Sequence, residues 1–86
     1  LLTADGLKHL NKIRVILFEI ANWDKEGIEE NIKMYARDRS VKLNFVAQPL
    51  RAALTGSNVS PGIFEVITNL GRGETLGRID DAINLR

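Results

Sequence analysis

The chain has no cysteine. That absence removes disulfide scaffolds, thiolate zinc sites and cysteine nucleophiles together, and it fits a reducing cytoplasm, where the protein is expected. Histidine occurs once, as His9. No second imidazole or thiolate can complete a metal site around it, so it reads as a surface histidine. Long hydrophobic runs are missing too. The longest, Val15-Ile16-Leu17-Phe18, falls far short of the roughly 20 residues that a membrane span needs. An excess of one charge is also absent: 12 Lys and Arg stand against 11 Asp and Glu, for a net charge of +1. Without a global basic field, any contact with nucleic acid must come from local patterning. The opening residues, Leu1-Leu2-Thr3-Ala4-Asp5, carry neither an initiator Met nor a signal-peptide pattern. They read as the start of a piece of a longer protein.

What is present is ordinary for a soluble globular protein: 44% hydrophobic and 27% charged residues. A chain of 86 residues makes one domain, 1–86, which buries roughly 60–65% of its unfolded surface. The pattern predicts an all-α fold, a compact bundle of about five short helices. The first runs from about Ala4 to Ala21, with Thr3 as N-cap and Leu10, Ile13, Leu17 and Ile20 on one face. The second runs from about Lys25 to Asp38 behind Asp24, a good N-cap whose carboxylate suits the positive helix end. Trp23 and Ile28 are placed for a hydrophobic staple, and Ile28, Ile32, Tyr35 and Ala36 form the buried stripe. The third covers about Phe45 to Leu54, with Val46, Leu50, Ala53 and Leu54 inward, Pro49 near its start and Gly56 as its left-handed stop. The fourth starts at Ser60 as cap and Pro61 as first helical residue, presents Ile63, Phe64, Ile67 and Leu70, and ends at Gly71. The fifth runs from about Glu74 to Leu85, with Leu76, Ile79 and Ile83 inward. Connections are short, and there is no repeat or internal boundary.

No residue set points to catalysis or to a metal. The pairs Glu29-Glu30 and Asp80-Asp81 are adjacent on helices, so their side chains diverge by about 100° and cannot converge on one substrate. Gly71-Arg72-Gly73 follows no strand and lacks the lysine and hydroxyl of a phosphate loop; a helix-to-helix turn explains it. Asn58-Val59-Ser60 fits a glycosylation pattern, but Ser60 already serves as a cap.

The charge pattern is more informative. No acid occurs between Asp38 and Glu65, and the interval holds Arg39, Lys42 and Arg51. It also holds Gln48, Thr55, Ser57, Asn58 and Ser60, all able to hydrogen-bond. It ends in a loop and a helix N-terminus, whose free N–H groups favour anions. Splayed RNA bases are read by hydrogen bonding and stacking, which this mix suits. A tight turn joining two packed helices explains the same stretch, and the residues alone leave both readings open. A protein-interaction surface over Ser57 to Ile63 is a third. A DNA-binding helix-turn-helix is disfavoured, because its recognition helix, Pro61 to Leu70, holds no Arg or Lys.

The blocks Gln48-Pro49-Leu50-Arg51-Ala52-Ala53-Leu54-Thr55-Gly56, Ser60-Pro61-Gly62-Ile63-Phe64-Glu65, Leu70-Gly71-Arg72 and Leu76-Gly77-Arg78 together resemble the C-terminal end of bacterial glutamyl-tRNA synthetases. The resemblance implies the distal part of a helical anticodon-binding domain, ending near the natural C-terminus of its parent. Catalysis would lie in a Rossmann-type domain upstream, a glutamate–tRNA ligase using ATP and Mg2+; this piece would need no cofactor of its own. Its implied partners are the rest of the synthetase and the anticodon loop of tRNA-Glu, with tRNA-Gln left open, and it is expected to be monomeric and to touch no membrane. Carried over by position, Arg51 contacts the anticodon loop, Ser60 and Pro61 open the base-contacting helix, Ile63 packs against a base, and Lys42 meets phosphate. Phe64 is expected in the core, against Leu50 and Ile67. The family glycine after Lys42-Leu43 is Asn44 here, a residue that tolerates left-handed backbone.

Overall fold

Thr3 caps the first helix, its hydroxyl accepting from the Gly6 amide at 3.0 Å. The computed structural model describes residues 3–56 and 62–84. Helix α1 spans Ala4–Glu19, α2 Lys25–Asp38, α3 Leu43–Thr55 and α4 Ile63–Asn84. Each helix packs on the other three, within a body of 30 × 28 × 23 Å. Among the described residues there is no strand.

Asp24 caps α2 by accepting from the Gly27 amide at 2.7 Å. The end of α2 is a Schellman motif: the Val41 amide bonds the Ala36 carbonyl and the Ser40 amide the Arg37 carbonyl, each at 3.0 Å. Ser40 carries the left-handed turn, at φ 57°, where glycine is the usual choice. Gly56 ends α3 as expected, left-handed at φ 71°.

Among the described residues four helices stand where the sequence pattern suggests five. The expected turn at Gly71-Arg72-Gly73 is a break of one residue. Gly71 sits at φ 85°, ψ 165°, a region essentially confined to glycine, and the helix resumes at once on its far side. One residue without a Cβ redirects the chain, so no loop is needed. The expected start of this helix, at Ser60 and Pro61, lies outside the described residues; the described helix begins at Ile63.

The third helix also departs from expectation. It starts at Leu43, not Phe45, which places Pro49 well inside it. The ring deprives the Phe45 carbonyl of its helical donor. In return it packs on α1 at Gly6, where an added Cβ would lie 3.4 Å from the Pro49 Cγ. The missing Cβ at Gly6 thus lets two helices approach closely at the proline. Asn44 is an ordinary helical residue, so the expected tolerance of a left-handed backbone is not called on there.

The core joins Leu10, Ile13 and Leu17 of α1, Ile28 and Ile32 of α2, Val46 and Leu50 of α3, and Ile67 and Ile79 of α4, all fully buried. Ile20, Ala53, Phe64, Leu70, Leu76 and Ile83 pack on its margin. Thr75, which its residue type places outside, is fully buried. Its hydroxyl donates to the Ile67 carbonyl at 3.4 Å. The same carbonyl accepts from the Trp23 indole at 3.3 Å, so Trp23 ties the α1–α2 connection to α4.

Two arginines bind the helix ends together. Arg72 donates through Nη1 to the Phe18 carbonyl at 2.8 Å and through Nη2 to the Ile20 carbonyl at 2.7 Å, while its guanidinium lies over the Trp23 ring at 5.3 Å. Arg78 donates to the Leu54 carbonyl at 2.6 Å and to Glu74 at 2.8 Å. Terminal carbonyls of α1 and α3, which have no partner within their own helix, therefore meet cations, the sign that the negative helix end favours. Arg14 and Asp80 form a further tie between α1 and α4, through Nε to Oδ1 and through Nη2 to Oδ2 at 3.1 Å.

Candidate functional site

The acid-free stretch folds into α3 and the start of α4, with α3 held against α4 by the Leu50, Leu54 and Ile67 core. Between the two helices lies an open cleft of about 300 Å³, lined by Leu43, Asn44, Ala47 and Arg51 from α3 and by Gly62, Ile63 and Phe64. Helical spacing puts Leu43, Ala47 and Arg51 on this side of α3, and Gly62 accepts the first bonds of α4, from Glu65 and Val66 at 3.1 Å.

Two of the predicted contact residues meet here. Arg51 is half-buried, and its guanidinium has no ion-pair or hydrogen-bond partner among the described residues. Ile63 is only 3% exposed and forms floor, not rim. Phe64, expected in the core, packs on it and also lines the cleft. Lys42 is exposed one residue before this lining and is the N-cap of α3 without a side-chain capping bond. Ser60 and Pro61, the remaining predicted contacts, lie outside the described residues, as do Ser57 and Asn58. Thr55 turns its hydroxyl onto the Arg51 carbonyl at 2.7 Å.

The chemistry of the cleft is that of a slot for a planar ring. Leucine, alanine, isoleucine and phenylalanine supply apolar floor, and the guanidinium supplies donors in a fixed fork that suits a base edge or a phosphate and can stack on a ring. Among the described residues no group of three His, Cys, Asp or Glu could hold a metal ion, and no helix is long and apolar enough to cross a membrane.

Residues 1–83 match the family model described as "Anticodon binding domain". The chain belongs to this family. It is similar to glutamate–tRNA ligase 1 of Bartonella bacilliformis, with 45% identity over 84 residues, 98% of this chain and 18% of that protein. It is also similar to the glutamate–tRNA ligase of Bradyrhizobium diazoefficiens, with 47% identity over 81 residues, 94% of this chain and 17% of that protein. Glutamate–tRNA ligase 2 of Paramagnetospirillum magneticum is 52% identical over 81 residues, 94% of this chain and 16% of that protein. The chain thus spans less than a fifth of the length of the curated relatives it matches.

In this member of the anticodon binding domain family, some of the residues in the recognisable blocks hold the fold. Arg72 and Arg78 belong to two Leu-Gly-Arg triplets, and both are committed to carbonyls. The repeated triplet is a sequence signal for paired roles, but it does not identify the partners. His9 is less free than a surface histidine. Its Nδ1 lies 2.7 Å from the Tyr35 hydroxyl, with the rings edge to face at 5.7 Å. Burial pushes the Tyr35 phenol above its ordinary pKa, partly opposed by the nearby Arg39 charge.

Proposed function

We propose that this chain binds the anticodon loop of a tRNA, tRNA-Glu first of all, as part of a longer glutamate–tRNA ligase of the cytoplasm. The observation that carries the reading is Arg51: a half-buried guanidinium with no ion-pair or hydrogen-bond partner among the described residues, beside an apolar cleft floor, within a chain of the anticodon binding domain family. An unpaired partly buried cation is costly unless a partner arrives to meet it. A base edge or phosphate of the loop is such a partner. Ser60, Pro61 and Ile63 would complete the contact, with Lys42 meeting backbone phosphate. Selection of tRNA would then be this piece's share of the reaction, and catalysis would belong to the rest of the ligase. ATP and Mg2+ would act there too.

Two measurements test the reading. Chemical-shift mapping with an anticodon stem-loop should perturb the surroundings of Arg51 and residues 60–63; shifts confined elsewhere would sink it. In the full ligase, Arg51→Ala should impair tRNA charging more than glutamyl-adenylate formation. Equal loss of both would point to misfolding instead of weakened RNA binding.

A further inference from the structure

Six lysines and arginines among the described residues make neither an ion pair nor a side-chain hydrogen bond: Lys8, Lys12, Arg37, Arg39, Lys42 and Arg51. Five of the six lie along one strip of surface. The Arg51 cleft shares Asn44 with a neighbouring cleft of about 450 Å³, lined also by Phe45, Gln48 and His9. That cleft in turn shares His9 with a third, of about 330 Å³, lined by Lys8, Lys12, Tyr35 and Arg39. Lys42 stands between Val41 of the middle cleft and Leu43 of the first. Arg37, the sixth, lies apart, in a hollow with Glu26, Glu29 and Glu30. Among the residues lining the three joined clefts the one acid is Asp5, in the middle one.

The strip has a second feature. Phe45 is 63% exposed, the most exposed aromatic among the described residues, and it stands in the middle cleft between the two cationic ends. Beside it the amide of Gln48 is held only weakly, its Nε2 3.5 Å from Asn44 Oδ1. Its buried Oε1 has no partner among the described residues. An aromatic face flanked by unpaired cations is the arrangement that tracks a single-stranded nucleic acid: a base stacks, and phosphates on either side meet charge. The size fits as well. From Asn44 to Arg51 the rise of α3 is about 10 Å, the length of roughly three stacked nucleotides.

We propose that the RNA path continues past the Arg51 cleft, over Phe45 as a stacking platform, to a phosphate cradle formed by Lys8, His9, Lys12 and Arg39. The proposal rests on the anticodon-loop reading and extends it: nucleotides flanking the recognised bases run across the outer face of α3 onto α1 and the end of α2. Arg39 is steadied for this role by the Tyr35 ring, 5.5 Å from its guanidinium carbon, and Tyr35 by His9.

The test is titration of the chain with an anticodon stem-loop hairpin at several salt concentrations, read by fluorescence anisotropy, with circular dichroism confirming that each variant is folded. The double variant Lys8→Gln, Lys12→Gln should weaken binding and lower the slope of log affinity against log salt by about 1.4, at roughly 0.7 for each phosphate no longer neutralised. Phe45→Ala should weaken binding roughly 5- to 150-fold, and Phe45→Tyr should restore most of it. Arg37→Gln, which removes one positive charge off the strip, should leave the slope unchanged. Arg51→Ala separates the two readings. If it weakens binding while the Lys8, Lys12 variant keeps the wild-type slope, the extended path is overturned and the cleft stands. An equal fall per charge in the Arg37 variant means bulk charge and overturns the path as well. A wild-type chain that ignores the hairpin overturns both.

Discussion

Replacing Arg72 by alanine should destabilise the bundle well beyond an ordinary exchange of a partly exposed residue. The guanidinium holds two carbonyls at 2.8 and 2.7 Å, short enough for charge-assisted bonds. Hydrogen bonds to a charged group contribute about 1.5–3 kcal/mol each. Arg72 is half-exposed and Phe18 lies outward, so the low end applies, and water recovers part of it once the carbonyls are freed. Loss of the cation's packing on the Trp23 ring adds about 0.5–1 kcal/mol. The low ends add to about 3.5 kcal/mol, and the partial exposure of the site discounts this to a destabilisation of about 2–3 kcal/mol, which for a domain of this size lowers Tm by about 10–20 °C. Urea unfolding followed by far-ultraviolet circular dichroism measures it, with an unchanged m value expected. Arg72→Lys keeps the charge but can serve one carbonyl at a time, so about half the loss should return. A change within about 0.5 kcal/mol for Arg72→Ala, ordinary for a surface exchange, would refute the idea that this residue joins α4 to the end of α1. Because Arg72 does not line the Arg51 cleft, the folded variant should keep its affinity for the hairpin.

Other exchanges probe the same fold. Gly71→Ala forces a Cβ into backbone that only glycine adopts freely, although nothing lies within 4 Å of that Cβ. It should cost about 1–3 kcal/mol through the backbone alone, measured by the same unfolding. Ser40→Gly relieves the left-handed turn after α2 and should raise stability by about 0.5–1 kcal/mol, the glycine's greater freedom in the unfolded chain limiting the gain. The Asp80 carboxyl is held below its ordinary pKa of 3.8, first by the hydrogen bond from Arg14 and then by its charge, against partial desolvation. Its folded pKa is therefore the lower one. Its contribution is complete above about 3.8 and fades as pH falls through the depressed value. Stability measured against pH should accordingly drop less steeply below pH 4 in Asp80→Asn than in the wild type; identical acid limbs would show that the pair is not formed in solution.

The helices were legible because their causes are local. Thr3 and Asp24 sit one residue before their helices and bond amides three residues on. The stripe of Ile28, Ile32, Tyr35 and Ala36 follows from helical spacing alone. Gly56 ends α3 for reasons contained in its own backbone. The family resemblance was legible in short blocks of residues, and it was the resemblance that singled out Arg51 among the three cations of the acid-free stretch. Hydrophobic pattern did not separate a turn of three residues from a single glycine break at Gly71, because both interrupt the stripe alike. Nor did it place Pro49, whose position inside α3 depends on a start set two residues earlier than the pattern suggests.

What only the tertiary structure decided is which polar groups are already taken. In the sequence Arg51, Arg72 and Arg78 are equivalent cations in recognisable blocks. Packing brings Arg72 to carbonyls more than 50 positions away and Arg78 to one 24 positions away, and leaves Arg51 beside an apolar floor without an ion-pair or hydrogen-bond partner among the described residues. The same packing sets His9 of α1 beside Tyr35 of α2 and joins three clefts at His9 and Asn44. Helix formation obeys short-range rules that a sequence displays. The pairing of charges across helices depends on how those helices cross, and that separates Arg72 and Arg78, which bind the fold, from Arg51, which has no such partner among the described residues.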